Sequence, residues 1–115
     1  MLFETIDNWA RLLPPEQQIK LSMSRLINLA YMEIVPISAM HFAPNLFKIA
    51  QNHHALDLYV HDEYAYDDNH VINHSIKLII RFNAKTDYNQ NDIAWFSNLA
   101  SNFNLELVVQ EGILQ

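Results

Sequence analysis

The fold is decided by the stretch Ser75-Ile76-Lys77-Leu78-Ile79-Ile80-Arg81-Phe82. Apolar residues occupy every second position from Ile76 to Phe82, and Lys77 and Arg81 fall between them. Because the side chains of a β-strand point alternately to opposite faces of a sheet, this pattern predicts a strand with one buried face and one solvated face. The neighbouring segments are placed relative to this strand.

A second segment with the same alternation, residues 56–61, precedes this strand across a short polar stretch. The two segments are expected to pair as an antiparallel hairpin. A two-residue turn that faces Asp67 with His70 would set Val60 opposite a lysine and put the two apolar sets on different faces. A three-residue loop that faces Asp67 with Val71 puts both sets on one face. Since a slip of one residue moves every side chain to the other face, we predict the three-residue loop.

This register predicts a set of cross-strand pairs. They are Leu56 with Phe82, Leu58 with Ile80 and Val60 with Leu78 on the buried face, Asp57 with Arg81 and His61 with Lys77 on the outer face, and Tyr64 with His74 nearer the loop. The loop contains no glycine, and Asn69 is the residue expected to adopt its left-handed conformation.

Helical spacing of apolar residues predicts the elements on either side of the hairpin. The predicted helices cover residues 2–13, about 20 residues from Pro15, a short segment from Pro44, and a segment capped by Asp87 or Asn91 and ended by a left-handed Asn104. Residues 37–43 fit either one helical turn or extended chain. Met23, Tyr31, Met32 and Trp95 are expected to pack in or near the core. Leu105, Leu107 and Val109 are expected to face inward on a last strand.

A strand, a helix and another strand in succession favour a right-handed crossover, so the last strand is expected to run parallel to residues 75–82. The predicted fold is α+β, with a single-layer sheet of one antiparallel hairpin and one parallel strand. N-terminal helices and one crossover helix pack against this sheet. Residues 1–115 are expected to form one domain, since half of them are hydrophobic and 17% are charged.

Composition argues against several classes of protein. The chain has no cysteine, which excludes disulfides and thiolate metal sites and is typical of a cytoplasmic protein. The single glycine, Gly112, cannot supply a phosphate-binding loop, a dinucleotide fingerprint or a nucleophile elbow. No run of about 18 apolar residues is present, so no membrane span is expected.

The formal net charge of −6 is unevenly distributed. Residues 1–50 hold four acids and four bases, whereas residues 51–115 hold nine acids and three bases. An acidic second half argues against nucleic acid as a direct ligand, because a protein that binds it presents a basic face. The same charge suits a basic protein partner, although an acidic balance also serves solubility alone.

Five of the six histidines lie between residues 53 and 74, among several carboxylates. Such a cluster has the chemistry of a divalent metal site. The predicted register puts His61 and His74 on opposite faces, however, and no helical His pair is present. The serines lie in no strained elbow beside a histidine and an acid. We therefore predict no catalytic residues, no metal site and no cofactor.

The end of the hairpin carries the most informative side chains. Residues 62–68 interleave four acids with two tyrosines, the residue type that protein interfaces favour for its large area and its hydroxyl group. Acidic side chains also steer a basic partner toward the surface. The predicted partner-binding residues are Asp57, His61, Asp62, Glu63, Tyr64, Tyr66, Asp67 and Asp68. A solvated hairpin tip without a partner is the alternative.

Three hypotheses for function follow. The first is a non-catalytic inhibitor or immunity-type protein that neutralises a basic protein, such as a nuclease toxin or another effector that handles nucleic acid. The second is a small metal-dependent enzyme that uses the histidines and carboxylates between residues 53 and 74. The third is a homo-oligomeric structural or adaptor subunit, for example a homodimer, that pairs through an edge strand.

Overall fold

The computed structural model describes residues 12–32, 39–70, 72–85 and 87–112. These residues form an α+β fold, as predicted, in which helices accompany one small mixed sheet. The elements in chain order are α1 (Pro15–Tyr31), α2 (Ala39–Phe42), α3 (Pro44–Asn52), β1 (Ala55–Tyr66), β2 (Ile72–Asn83), α4 (Gln90–Asn102) and β3 (Glu106–Gly112). None of the described helices has both the length and the apolar character needed to cross a membrane.

Proline residues begin two of the helices, as the sequence predicts. Pro15 and Pro44 occupy the first helical positions of α1 and α3, where the missing amide hydrogen leaves no bond unmade. Segment 39–42, left open between a turn and extended chain, is a single helical turn. Most of the helix predicted at residues 2–13 lies outside the described residues. Residues 37 and 38 also lie outside them.

The register of the hairpin is confirmed over most of its length. Asp57 lies opposite Arg81, Leu58 opposite Ile80, and the ladder continues in this register to Tyr66 opposite Ile72. The predicted pairing of Leu56 with Phe82 is wrong. Ala55 takes that place, because a register shift between Ala55 and Asp57 makes Leu56 the extra residue of a bulge.

The loop of the hairpin also corrects one prediction. The backbone amide of His70 donates to the carbonyl oxygen of Asp67 over 3.0 Å, and His70 has a φ of 61°. The left-handed residue is thus His70 and not Asn69. In a three-residue hairpin loop the left-handed position follows the turn, so it falls on the last loop residue. The amide of Asn69 instead donates to the carboxylate of Asp67.

β3 runs parallel to β2, as the crossover rule predicts, with Leu78 opposite Leu107 and Ile80 opposite Val109. The intervening helix α4 ends at a left-handed Asn104 with a φ of 57°. The amide of Leu105 donates to the carbonyl oxygen of Ala100, which closes the helix end.

The start of α4 differs from the prediction. Its N-cap is Asn89, whose side chain accepts hydrogen bonds from the amides of Asn91 and Asp92. The carboxylate of Asp92 accepts in return from the amide of Asn89, which completes a capping box. Neither Asp87 nor Asn91 is the cap.

The core lies between the helices and one face of the sheet. Its largest fully buried side chains are Met23, Leu46, Leu58, Leu78, Ile80, Phe82 and Phe96. Met23 and the partly buried Trp95 pack as predicted. Tyr31 and Met32 do not, since both are exposed at the end of α1. Val109 shares a face with buried Ile80 but is also exposed, because β3 is an edge strand of this sheet.

Candidate protein-interaction surface at the end of the hairpin

The strands of the hairpin extend well past their buried section. A 12-residue strand such as β1 spans about 40 Å, and its burial ends midway, since residues 63–66 are exposed. Alternation divides the predicted site residues of β1 between two faces. Asp57, His61 and Glu63 lie on the outer face, and Asp62, Tyr64 and Tyr66 lie on the inner face that carries the core.

On the inner face the side chains gather around His74. The ring of Tyr64 stacks on the His74 imidazole with centroids 4.4 Å apart and planes within 8° of parallel. Tyr31, at the end of α1, tilts toward the same imidazole at 6.0 Å. Tyr66 and Ile72 form the next cross-strand pair toward the loop. We call these five residues, Tyr31, Tyr64, Tyr66, Ile72 and His74, the aromatic patch.

The aromatic patch leaves large apolar side chains in contact with solvent. Tyr31 is 53% exposed, Tyr64 55%, Ile72 54% and Tyr66 71%. Single exposed apolar residues are common on protein surfaces, whereas a group of them around one point is a feature that contact surfaces often have. Tyrosine contributes strongly to such surfaces because it loses little conformational freedom on binding.

Asp62 contacts the aromatic patch through the imidazole of His74. Its side chain is only 6% exposed, and its Oδ1 atom is paired with Nε2 of His74. A buried carboxylate needs such a partner, since an unpaired buried charge is costly. Asp62 therefore orients the His74 imidazole. Its carboxylate is too buried to contact a partner directly.

The outer face carries an ion pair. Nζ of Lys77 lies 2.6 Å from Oε2 of Glu63. Glu63 is two residues along β1 from His61, the residue directly opposite Lys77. The hydrogen bond and the charge of Lys77 lower the pKa of Glu63, and Glu63 raises the pKa of Lys77 in return. Both groups therefore stay charged throughout the neutral range, although an exposed pair of this kind adds little stability.

The loop adds two further acids, Asp67 and Asp68, both exposed. The end of α1 contributes negative character as well, because its last turn holds no basic residue and the C-terminal end of a helix carries a partial negative charge. The aromatic patch thus has an apolar centre with negative charge at its margins.

A second cluster of polar side chains, around Asp92, was not predicted from the sequence. Asp92 places one carboxylate oxygen 3.3 Å from Nδ1 of His53 and the other 2.9 Å from Nδ1 of His54. The His53 ring also stacks on Trp95 with centroids 4.4 Å apart. His54 has a φ of 69°, so it is the left-handed residue that ends α3. The contacts join the end of α3 to the start of α4.

The electrostatics of this junction favour a charged Asp92. Burial acts to raise its pKa, but hydrogen bonds from the amide of Asn89 and from His54 and His53 outweigh burial and lower the pKa overall. The carboxylate lies in the first turn of α4, where a negative charge is favoured, and the imidazoles lie at the end of α3, where a positive charge is favoured. This arrangement is that of a structural clamp between two helix ends.

The remaining features of the described residues are the placement of possible metal ligands and a groove between two helices. Within residues 12–32, 39–70, 72–85 and 87–112, no three or more histidines and acids are placed to hold a metal ion. A groove of about 740 Å³ lies between α1 and α4, and Ile19, Leu99 and Trp95 form part of its wall. Its titratable side chains are Glu16 and Lys20, which both lie on the exposed side of α1.

Comparison with known proteins finds no matching family model, no similar curated protein and no similar solved structure.

Proposed function

We propose that this chain is a non-catalytic binding protein that neutralises a basic protein through the acidic and aromatic end of its hairpin. The partner would be a nuclease toxin or another effector that handles nucleic acid, since such proteins carry basic surfaces that bind phosphate. The observation that carries the proposal is the aromatic patch, whose exposed tyrosines lie next to the acids of the hairpin loop.

The layout of this surface resembles that of energetically dominant contact sites. Such sites place aromatic side chains at the centre, where a partner excludes water, and charged side chains at the rim. Tyr64 and Tyr66 hold the central positions here, and Asp67 and Asp68 follow them in the loop, whereas Glu63 lies on the outer face of the same strand. Acids at the rim accelerate encounter with a basic partner and contribute less to the lifetime of the complex.

A protein can inhibit an enzyme by covering its active-site cleft, without any catalytic residue of its own. A projecting hairpin is suited to insertion into a cleft, and acids at its end take the place of the phosphates that a nuclease cleft binds. The predicted contact set therefore keeps Asp57, His61, Glu63, Tyr64, Tyr66, Asp67 and Asp68. Asp62 remains in the site as the support of His74.

The direct test is isolation of the tagged chain from its native cells together with its bound protein. We expect a basic protein in stoichiometric amount whose enzymatic activity is lost on addition of the chain. Recovery of the chain alone, or of a protein whose activity is unchanged by it, would contradict the proposal.

The tyrosine contribution has its own test and a matched control. Tyr66→Ala is expected to weaken binding of that partner by about 2 kcal/mol or more, which is roughly 30-fold in Kd. Leu12→Ala removes an apolar side chain that is 82% exposed and lies before the start of α1, whereas Tyr31 of the aromatic patch lies at the end of that helix; this variant is expected to leave the affinity unchanged. If Tyr66→Ala and Leu12→Ala both bind the partner with wild-type affinity, the interface does not include Tyr66.

A further inference from the structure

The groove between α1 and α4 has the character of a site for an amphipathic helix. Its volume is about 740 Å³, and its walls include Ile19 of α1 together with Trp95, Leu99 and Phe103 from α4 and its C-terminal cap. Asn98 of α4 also lines the groove and is exposed. An apolar groove between elements of this kind receives a helix by burying the apolar face of that helix.

The chain that leads into α1 starts at one end of this groove. Residues 12–14 directly precede the helix, and residues 1–11 lie before them, outside the described residues. The side-chain amide of Gln18 donates to the carbonyl oxygen of Leu13 over 2.7 Å, which holds this connection against the first turn of α1. The residues of α1 that line the groove begin at Glu16, in the same turn. Three residues therefore tether residues 1–11 to the groove.

The sequence of the tethered segment suits the groove in pattern and in length. At about 100° per residue, Leu2, Ile6 and Trp9 fall on one side of the helix that the sequence predicts. The polar and charged residues of the other side are Glu4, Asp7, Asn8 and Arg11. A helix over residues 2–11 would be about 15 Å long, and the part of α1 that lines the groove, from Glu16 to Ser24, is about 12 Å long.

We propose that residues 2–11 of this chain occupy the groove between α1 and α4 and run antiparallel to α1. A short connection between two helices makes them antiparallel neighbours, and residues 12–14 are such a connection. The tether also gives the segment an effective concentration on the order of millimolar, which a free ligand or a second copy of the chain does not have. The proposal does not depend on the function proposed above, and it closes the groove to other molecules.

The test uses a nitroxide label and the backbone amide signals of the full chain in solution. Because the chain has no cysteine, one introduced cysteine is labelled alone. Asn98→Cys puts the label on α4 at the groove, whereas Glu106→Cys puts it on β3, beside Lys77 on the outer face of the sheet. We expect the label at position 98 to broaden the signals of residues 2–11 and the label at position 106 to leave them sharp.

Two matched variants test which face of the segment is bound. Ile6→Glu and Asn8→Glu each add one acid, the first on the predicted apolar face and the second on the polar face. In the chain labelled at position 98, Ile6→Glu is expected to abolish the broadening of residues 2–11, because an unpaired charge is costly to bury. Asn8→Glu is expected to preserve it. The unchanged signals of β1 and β2 show in each variant that the rest of the chain is folded.

The other possible occupants of the groove give different results. Sharp signals from residues 2–11 in the chain labelled at position 98 would overturn the proposal, as would equal broadening in Ile6→Glu and Asn8→Glu. Broadening of residues 33–38 or 113–115 in their place would assign the groove to another segment. A mixture of labelled chains with isotopically enriched, unlabelled chains shows whether the broadening passes between molecules. If it does, a second copy fills the groove and the proposal is wrong.

Discussion

Asp92→Asn tests whether the contacts of this carboxylate clamp the ends of two helices. The wild-type carboxylate is buried and accepts hydrogen bonds from Asn89, His53 and His54. Asparagine has a single acceptor oxygen and no charge, so it cannot serve both histidines and the cap at once. Loss of a helix cap costs about 1 kcal/mol and loss of a hydrogen bond to a charged group about 1.5–3 kcal/mol. Since asparagine keeps part of the network, we expect a net loss of about 2 kcal/mol.

Thermal and urea unfolding at neutral pH measure this loss. For 115 residues, an unfolding entropy of about 2.1 cal/mol/K per residue converts 2 kcal/mol into a fall in Tm of about 8 °C. Asp87→Asn removes the same charge from an exposed position just before the cap and is expected to leave Tm unchanged. If Asp92→Asn has the same Tm as wild type and as Asp87→Asn, the contacts of Asp92 contribute nothing to stability.

The pH dependence of the same variant has a defined sign. The pKa of Asp92 is lower in the folded protein than its usual value, so its stabilising contribution is fully present above the unfolded pKa. It is lost as the pH falls through the folded pKa. The stability difference between wild type and Asp92→Asn that the carboxyl group causes is therefore expected to be constant down to about pH 4 and to shrink below it. A carboxyl contribution that grows with acidity would contradict the assigned direction.

Two further predictions concern the strand face and metal binding. Ile80→Asp is expected to unfold the protein, because a charge would replace a side chain with no solvent exposure and the cost reaches several kcal/mol, whereas Lys77→Asp on the outer face is expected to preserve the fold. Equal melting of both variants and wild type would show that the inner and outer faces of β2 are assigned wrongly. Elemental analysis after dialysis is expected to find no stoichiometric zinc, since within the described residues no three or more histidines and acids are placed to hold a metal ion. About one zinc per chain would favour the metal-dependent enzyme.

Much of the hairpin was predictable because alternation and burial constrain register strongly. Only one register buries Leu58 and Val60 together with Ile80, and the structure adopts it. The bulge at Leu56 was not predictable from this pattern, because the apolar alternation of the sequence continues through it. The left-handed His70 follows from loop geometry, whereas the composition of the loop favours asparagine.

The caps of α4 show the limits of local sequence patterns. Asp87, Asn89 and Asn91 all have suitable side chains. The decisive signal was the spacing Asn89-x-x-Asp92, which resembles a capping box with aspartate in place of glutamate. This spacing was not recognised because Asp87 and Asn91, on either side of Asn89, are also suitable N-cap residues.

The candidate site was predictable only in part. The acids and tyrosines of residues 62–68 were visible in the sequence, but the roles of Tyr31, Ile72 and His74 were not. Tyr31 fits a near-core position by helical spacing, and it is exposed at the end of α1, beside the projecting part of the hairpin. The predicted register already placed His74 opposite Tyr64 on the inner face, and the structure confirms that pair. Extension of the same alternation would have placed Ile72 on the inner face as well. The clamp joins residues far apart in sequence, and no local pattern predicts such a contact.

The central claim is that the acidic end of the hairpin attracts and binds a basic protein. The measurement that tests it most directly is the association rate of the isolated partner with a variant that combines Glu63→Gln, Asp67→Asn and Asp68→Asn. A control variant with Glu16→Gln, Asp87→Asn and Glu106→Gln loses the same charge at exposed positions elsewhere. Both variants are first shown by melting to be folded.

At an ionic strength of about 0.1 M, where charges interact over about 10 Å, we expect the hairpin variant to associate much more slowly than the control. At about 1 M, where the range falls to about 3 Å, the rates of the two variants are expected to converge. Equal rates for the hairpin variant, the control and wild type at low salt, with equal affinities, would contradict the claim and show that the acidic hairpin serves only solubility.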